Sequence, residues 1–449
     1  MSVEHQATMV ERDESGNVVA TYGHPLPRSG VSATREASSL LQRLISIFLP
    51  AGFPASVTED YDSLQAFSSS IAGLLTSRAV LQGACRDANA SATNALLLTI
   101  LQDSVGRIAT ILFAYKFGPA LEAECKKYRF MADIFNDSAM IMDCLSPVFP
   151  RVVRIPLLCL SGSLRALCGV AGGASKASLS VHFAKTGNVG ELNAKDSSQE
   201  TVISLLGMLA GSFVVSHITS PVATWIALVS LLAVHLATNY KAVRCVAMRT
   251  LNRQRTNIVF SWYQETGRVL TPKDVCLRER VLETGGILRW GDNSVLGFAD
   301  VGVQFATVLT SLDQDINHQG SGSRIKDLAN IFRMQKYILW PTSGKAQGSL
   351  PTVLICLKAG ATAKDQVKAW SHALIVAKEF TTREAQVKEK RGHGGYYEKL
   401  GIVQTTMEEM DRIFPKITER LVEMGWDVET ACIETSSGFR ITAREPVMR

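Results

Sequence analysis

The chain has 449 residues, 20% of them charged and 46% hydrophobic, with a formal net charge of +6 and a mean hydropathy just above zero. That length supplies two or three domains and ample material for a core, at a greasiness short of a protein built mostly of membrane helices. The charge is modest and no dense Lys/Arg block with interleaved aromatics occurs, which argues against nucleic acid as a partner.

Nine cysteines, at 85, 125, 144, 159, 168, 245, 276, 356 and 432, include no CxxC pair. Scattered in a large chain they read as reduced, buried thiols of an intracellular protein, not as a disulfide framework or zinc site. The sequons at Asn89 and Asn136 are then accidental.

Residues 1–37 carry Glu4, Glu11, Asp13 and Glu14 and no apolar core, so they are expected to form a flexible polar leader and not a secretory signal. From Ala37 an amphipathic helix runs to Pro50, where Gly52-Phe53-Pro54 turns the chain. Helix-type spacing follows at Asp62–Leu81, Asn94–Phe117 and Phe130–Leu145, with a polar segment at Glu122–Arg129. A Gly/Ala/Ser-rich stretch around residues 158–180 suits close helix packing through Gly169 and Gly173. Its GVAGGASKAS segment is no phosphate loop, because Ala174-Ser175 stands where a glycine must precede Lys176 and no strand leads into it.

From Thr201 to Tyr240 there is no Asp, Glu, Lys or Arg. His217-Ile218-Thr219-Ser220-Pro221 divides the segment into runs of 15 and 17 residues, Val202–Ser216 and Val222–Thr238. As helices these reach about 22 and 25 Å, short of a hydrocarbon core about 30 Å thick. They form an apolar helical hairpin that spans a bilayer, re-enters it, or lies buried in a soluble core. Gly207 and Gly211 make a GxxxG packing face, and Lys241, Arg244, Arg249, Arg253 and Arg255 follow without an acid until Glu265. Both features favour a membrane. His217 and His235 lack carboxylate neighbours in sequence, so no metal is expected.

The richest polar cluster stands immediately before the hairpin. Glu191, Asn193, Lys195, Asp196, Gln199 and Glu200 could bind a polar ligand, while Asp196-Ser197-Ser198 also makes an acceptable helix N-cap. Arg107, Arg165 and Lys176 lie in apolar or small-residue stretches and need partners, for which the acids of this cluster are candidates. The tentative ligand set is therefore Arg107, Lys176, Glu191, Asn193, Lys195, Asp196, Gln199 and Glu200, with no catalytic residue identified. A weak echo between Leu81–Val105 and Leu167–Val202 fits coincidence better than a duplication.

Beyond Thr271-Pro272 the composition shifts. β-like runs at Thr352–Lys358, Val428–Glu434 and Phe439–Ala443, with helices over 364–380 and 405–424 and a turn-rich linker at Asn317–Ser323, predict a small α+β domain. The fold expected is mainly α, with a leader over 1–37, a helical domain over 38–270 and an α+β C-terminal domain over 285–449.

The strings FLPAGFPASVTEDY, DSLQAFSSSIAGLL, DANASAT, LQDSVGRIATILFAYKFG, YRFMADIFND and GNVGELNAKDSSQETV resemble the conserved domain of the ROOT UVB SENSITIVE (RUS) family. The resemblance covers about residues 38–265, and the region after it is similar to that family's C-terminal domain. The sequence departs from the family after Asp60-Tyr61, where several residues are missing, and at Gly83-Ala84-Cys85-Arg86, where a glycine-richer turn is usual. The resemblance implies a largely helical protein of an intracellular membrane, linked to UV-B tolerance and vitamin B6 homeostasis. It carries over no catalytic residue and ties pyridoxal phosphate to the chain only through the pathway. Three functions stay open: a non-enzymatic membrane protein acting by interaction or transport, an enzyme on B6 vitamers or another phosphorylated metabolite with Lys176 or Lys195 near its site, and a soluble scaffold for a B6-dependent enzyme. A family paralogue is a further candidate protein partner.

Overall fold

The computed structural model describes residues 9–12, 18–22, 61–85, 92–184, 189–283, 285–314, 321–342, 350–387, 396–435 and 438–442. The helix expected from Ala37 to Pro50 lies outside them. Where a flexible leader is expected, β1 (Met9–Arg12) and β2 (Val18–Tyr22) pair antiparallel. Their Val and Tyr residues flank a Ser15-Gly16-Asn17 turn signal, which the acidic content of the segment conceals.

Six long helices follow: α1 (Tyr61–Cys85), α2 (Ala92–Ala123), α3 (Cys125–Leu145), α4 (Arg151–Phe183), α5 (Val189–His217) and α6 (Pro221–Cys245). Helix α2 continues past the expected Phe117 through Pro119, and α3 takes in the polar Lys126–Arg129. Segment GVAGGASKAS is continuous helix inside α4. The expected cap at Asp196-Ser197-Ser198 is displaced, because α5 begins at Val189. Glu191 and Lys195 pair at i,i+4 (2.6 Å) and carry the helix through the polar segment. Ser198 Oγ donates to the Ala194 carbonyl at 2.8 Å, as a mid-helix serine does and an N-cap does not.

Counting uncharged residues alone understates the hairpin. With 29 and 25 residues, α5 and α6 are about 44 and 38 Å long, more than a bilayer requires. Among the described residues four helices are long and apolar enough to cross a membrane, α2 from Leu96, α4, α5 and α6.

Short elements complete the chain: β3 (Thr250–Asn252), α7 (Arg253–Thr266), α8 (Pro272–Arg278), β4 (Ile287–Arg289), β5 (Val295–Val301), α9 (Phe305–Gln314), α10 (Ser321–Ile331), β6 (Tyr337–Thr342), β7 (Thr352–Lys358), α11 (Ala363–Val387), α12 (Tyr396–Glu423), β8 (Asp427–Cys432) and β9 (Arg440–Ile441). The structure is thus mainly α with a small α+β part towards the C-terminus. Strand β7 is the hub of a mixed five-stranded sheet, parallel to β5 and β9 and antiparallel to β6, with β4 outside β5. Its residues Val353–Leu357 are all buried, the continuous apolar run of a strand covered on both faces. Helix α11 lays Trp370, Ala373, Leu374 and Ala377 into the same core. Leu251, Val259 and Phe260, upstream of residue 285, belong to it too. A parallel pair of β3 with β8 and the capping box of Thr271 with Asp274 at the start of α8 fix the entry to this region.

The chain divides into two compact units, residues 1–78 with 179–239 and residues 79–178 with 240–449.

Candidate functional site

In the first unit, Gly207 and Gly211 of α5 meet α1. A Cβ on Gly207 would stand 2.8 Å from the Phe67 carbonyl oxygen and the Ser70 Cβ; one on Gly211 would stand 2.8 Å from Leu74 Cδ1. Arg78 Nη1 donates to the Val215 carbonyl at 2.6 Å, closing the far end of the same contact. In the polar cluster Glu191 pairs with Lys195, and Ser180 Oγ donates to Asn193 Oδ1 at 2.5 Å. Asp196, Gln199 and Glu200 each have a further interaction partner.

Arg107, Lys176, Gly169 and Gly173 belong to the second unit. Gly169 and Gly173 face open space, whereas Gly172 packs against Ala132 of α3 at 3.6 Å. Gly106 and Gly162 form a second close approach, with Cβ positions 3.4 Å from Ala166 and 3.6 Å from Gln102. The partner of Arg165 is not in the polar cluster: its guanidinium pairs with the buried Asp143 of α3, which also accepts from Ser161 Oγ at 2.5 Å. Arg107 lies exposed on α2, and Lys176 is half-buried with a partner of its own.

The second unit holds a charged centre that sequence reading missed. The turn from α2 to α3 presents Glu124 and Lys126; the β3–α7 junction presents Asn252, Arg253 and Arg255; the end of α8 presents Glu279. Glu279 is clamped between two buried cations, Lys126 and Arg255, the latter at 2.8 Å. Arg255 donates again to the Thr250 carbonyl (2.6 Å) and Oγ1 (3.2 Å), so its guanidinium fork is filled. Burial is the largest influence on Arg255 and opposes its charge, but Glu279, Cys125, Glu124 and Cys432 together outweigh it and leave its pKa above the ordinary value. Asn252 caps α7 by accepting from the Arg255 amide at 2.9 Å while its Nδ2 donates to Glu124 at 3.2 Å. Burial raises the Glu124 pKa against the opposing pull of Arg255, and it raises the Cys125 and Cys432 thiols as well. Only the β3–α7 cations fell under a sequence signal, that of a basic hairpin flank. Glu124 and Lys126 read only as part of the polar segment Glu122–Arg129, and pairing across some 150 residues leaves no local pattern.

Beside this centre opens a cavity of about 370 Å³. Its walls are Lys116, Phe117 and Ala120 from α2, Lys127 and Tyr128 from α3, Arg253 and Gln254 at the start of α7, and the Gly285-Gly286-Ile287 turn. Glu124 lines it too. Glu283, the other wall carboxylate, is held bidentately by Arg289 (3.1 and 3.0 Å).

Comparison with known proteins now identifies the chain. Residues 34–267 match the family profile described as "Vitamin B6 photo-protection and homoeostasis domain", and residues 323–437 that described as "Root UVB sensitive protein, C-terminal". The chain belongs to the RUS family. It is 34% identical over 292 residues to "RUS family member 1" of Dictyostelium discoideum, covering 61% of this chain and 55% of that relative. It is 33% identical to "Protein root UVB sensitive 3" of Arabidopsis thaliana, over 78% of this chain and 79% of that one. A third relative, 25% identical over 75% of this chain and 73% of its own length, is the Arabidopsis "Protein root UVB sensitive 2, chloroplastic". The chain therefore spans about half the length of the Dictyostelium RUS protein and most of the two plant ones. No solved structure matches. The first RUS profile ends at Gly267, immediately after α7, so it carries Glu124, Lys126, Arg253 and Arg255 but not Glu279.

Proposed function

We propose that this RUS family member is a non-enzymatic integral protein of an intracellular membrane that supports vitamin B6 homeostasis by interaction or transport. The observation that carries this reading is the outward-facing apolar surface of four helices. In their most apolar windows only 11% of the residues of α2 and α5, 22% of α4 and 28% of α6 are buried. Leu112, Leu209, Phe213 and Ile226 are each more than 60% exposed. Water disfavours so much exposed apolar surface on each of these helices, and a bilayer would cover it. The polar start of α5, with Glu191, Asn193, Lys195, Asp196, Gln199 and Glu200, then falls where the helix leaves the hydrocarbon, and the basic run from Lys241 holds the end of α6 on the cytoplasmic or matrix side.

The link to vitamin B6 comes from the family. Alkaline carbonate treatment of membranes containing the full chain tests the membrane part. Retention in the pellet is expected, and release of intact protein into the supernatant would overturn it. Restoration of pyridoxal phosphate levels in cells lacking a family member, by the chain and not by a version without residues 189–245, tests the rest.

A further inference from the structure

The cavity between α2, α3 and the start of α7 is walled by more positive charge than its own acids neutralise. Glu283 is committed to Arg289 and to Gln254 Nε2 (3.3 Å), which leaves Glu124 as the one lining carboxylate set against three lining cations. Lys116, Lys127 and Arg253 remain. Arg253 is held in place from behind: its Nε donates to the Ile433 carbonyl at 2.8 Å and its guanidinium lies over the Trp370 ring at 5.2 Å. Its two Nη atoms have no hydrogen-bond partner among the described residues. Nη1 lies 3.8 Å from the Cβ position of Gly285, in the glycine turn that lines the cavity beside it. Lys127 gives Nζ only to a main-chain oxygen, that of Glu283 at 3.0 Å, and Lys116 lies over the Phe117 ring at 5.5 Å. Arg253 and Gln254, the first residues of the 14-residue α7, both line the cavity, so the positive end of that helix's dipole stands at this wall. Beside this basic side stand Phe117, Ala120, Tyr128 and Ile287, an apolar side sized for a ring or a short chain.

We propose that this cavity binds a phosphate monoester, its dianionic head on Arg253, Lys127 and Lys116 and its apolar body against Phe117 and Tyr128. An immobilised, unfilled guanidinium fork matches two phosphate oxygens, and the flanking lysines supply the second charge. Gly285 leaves the Arg253 side of the cavity open, since any side chain there would project towards Nη1. The site does not depend on the helices spanning a bilayer. Only the source of the ester does: a soluble metabolite, or the headgroup of a lipid reached from the Lys116 end of α2.

The test uses the full chain in an uncharged detergent, titrated with phenyl phosphate and followed by calorimetry. Saturable binding is expected, weakened at least about tenfold by Lys127→Met and by Arg253→Met and unchanged by Arg333→Met, an exposed cation elsewhere. Lys127→Met keeps the proposal exposed to failure if Arg253→Met, which loses the Ile433 and Trp370 contacts, does not fold. Soluble dihexanoyl phosphatidic acid displacing phenyl phosphate far more strongly than inorganic phosphate assigns the site to a lipid head. Equal competition by the two assigns it to a soluble ester. Absence of saturable binding by the wild type, or binding indifferent to Lys127→Met, overturns the proposal. Neither outcome touches the carbonate result, so failure here and failure of the membrane reading are distinguishable.

Discussion

In the sheet region, β7 turns five consecutive residues inward and α11 adds Trp370 and Leu374 at zero exposure, while in α2 and α5 residues of the same kind stand outward, Leu112 and Leu209 each at 62%. The amino acids are alike, so the difference lies in what covers them. Sheet and helix cover each other in one region, whereas in the other the apolar side chains stand uncovered by the chain itself. The charges follow the same division. The sheet region and its approach hold their ions in closed pairs such as Arg255–Glu279, while the apolar helices place few ions anywhere but their ends.

The strongest challenge to the closed-pair side is Glu279→Leu, which leaves Lys126 and Arg255 buried without their anion. A loss of about 3–5 kcal/mol is expected, seen as a collapse of thermal stability; a loss below 1 kcal/mol would mean the centre is wet. Leu209→Arg separates the two kinds of surface directly. At so exposed a site in water the change would fall within about 0.5 kcal/mol, but in a bilayer it costs about 2.5–3.5 kcal/mol and lowers membrane insertion. Gly211→Val forces branched carbons against Ile71 and Leu74, and about 1–3 kcal/mol of destabilisation is expected from protease sensitivity in membranes.

The sheet side has a pH signature. His372 bridges Tyr337 Oη (3.2 Å) and Thr406 Oγ1 (2.9 Å), and burial, with Lys368 adding to it, holds its pKa down at about 3. Unfolding releases the ring to its ordinary value near 6.5, so the unfolded chain takes up a proton below that pH and the native one does not. Stability should be flat above about pH 6.5 and fall by about 1.4 kcal/mol per unit from there towards pH 3; His372→Gln should flatten that slope in acid unfolding scans. The smallest effect separates the two glycine pairs. Gly173→Ala, into open space, should stabilise α4 by about 0.5–1 kcal/mol, the opposite sign to Gly211→Val.

Helical identity was legible wherever apolar residues recur over more than two turns, and β7 was legible to the residue because its whole run is buried. The Gly207–Gly211 face was visible as a motif, although its partner, α1, was not. Gly169 and Gly173 carry the same spacing, yet a Cβ on either would meet none of the described residues, since spacing alone does not say which face of a helix meets a neighbour. The start of α5 was misplaced because Asp196-Ser197-Ser198 suits a cap by composition, whereas an i,i+4 pair one turn earlier holds the helix open upstream. β3 to β6 and α7 to α10 escaped because short elements in mixed sequence take their form from the core they join. The charged centre escaped for a related reason: its five ions come from three separated segments and become a group only when folded.

The parallel pairing of β3 with β8 has a consequence for biosynthesis. Residue 250 leaves the ribosome long before residue 427, its ladder partner, has been made. The long apolar helices have emerged by then, so on the proposed membrane reading they insert while β3 and the first turn of α7 wait unpaired. The core that includes Leu251 and Val259 closes only when Trp426, Val428 and Ile433 arrive, which makes it a late step of folding. A chain truncated before β8 would leave β3 without its ladder partner and the core around Leu251 and Val259 open, with an aggregation-prone edge.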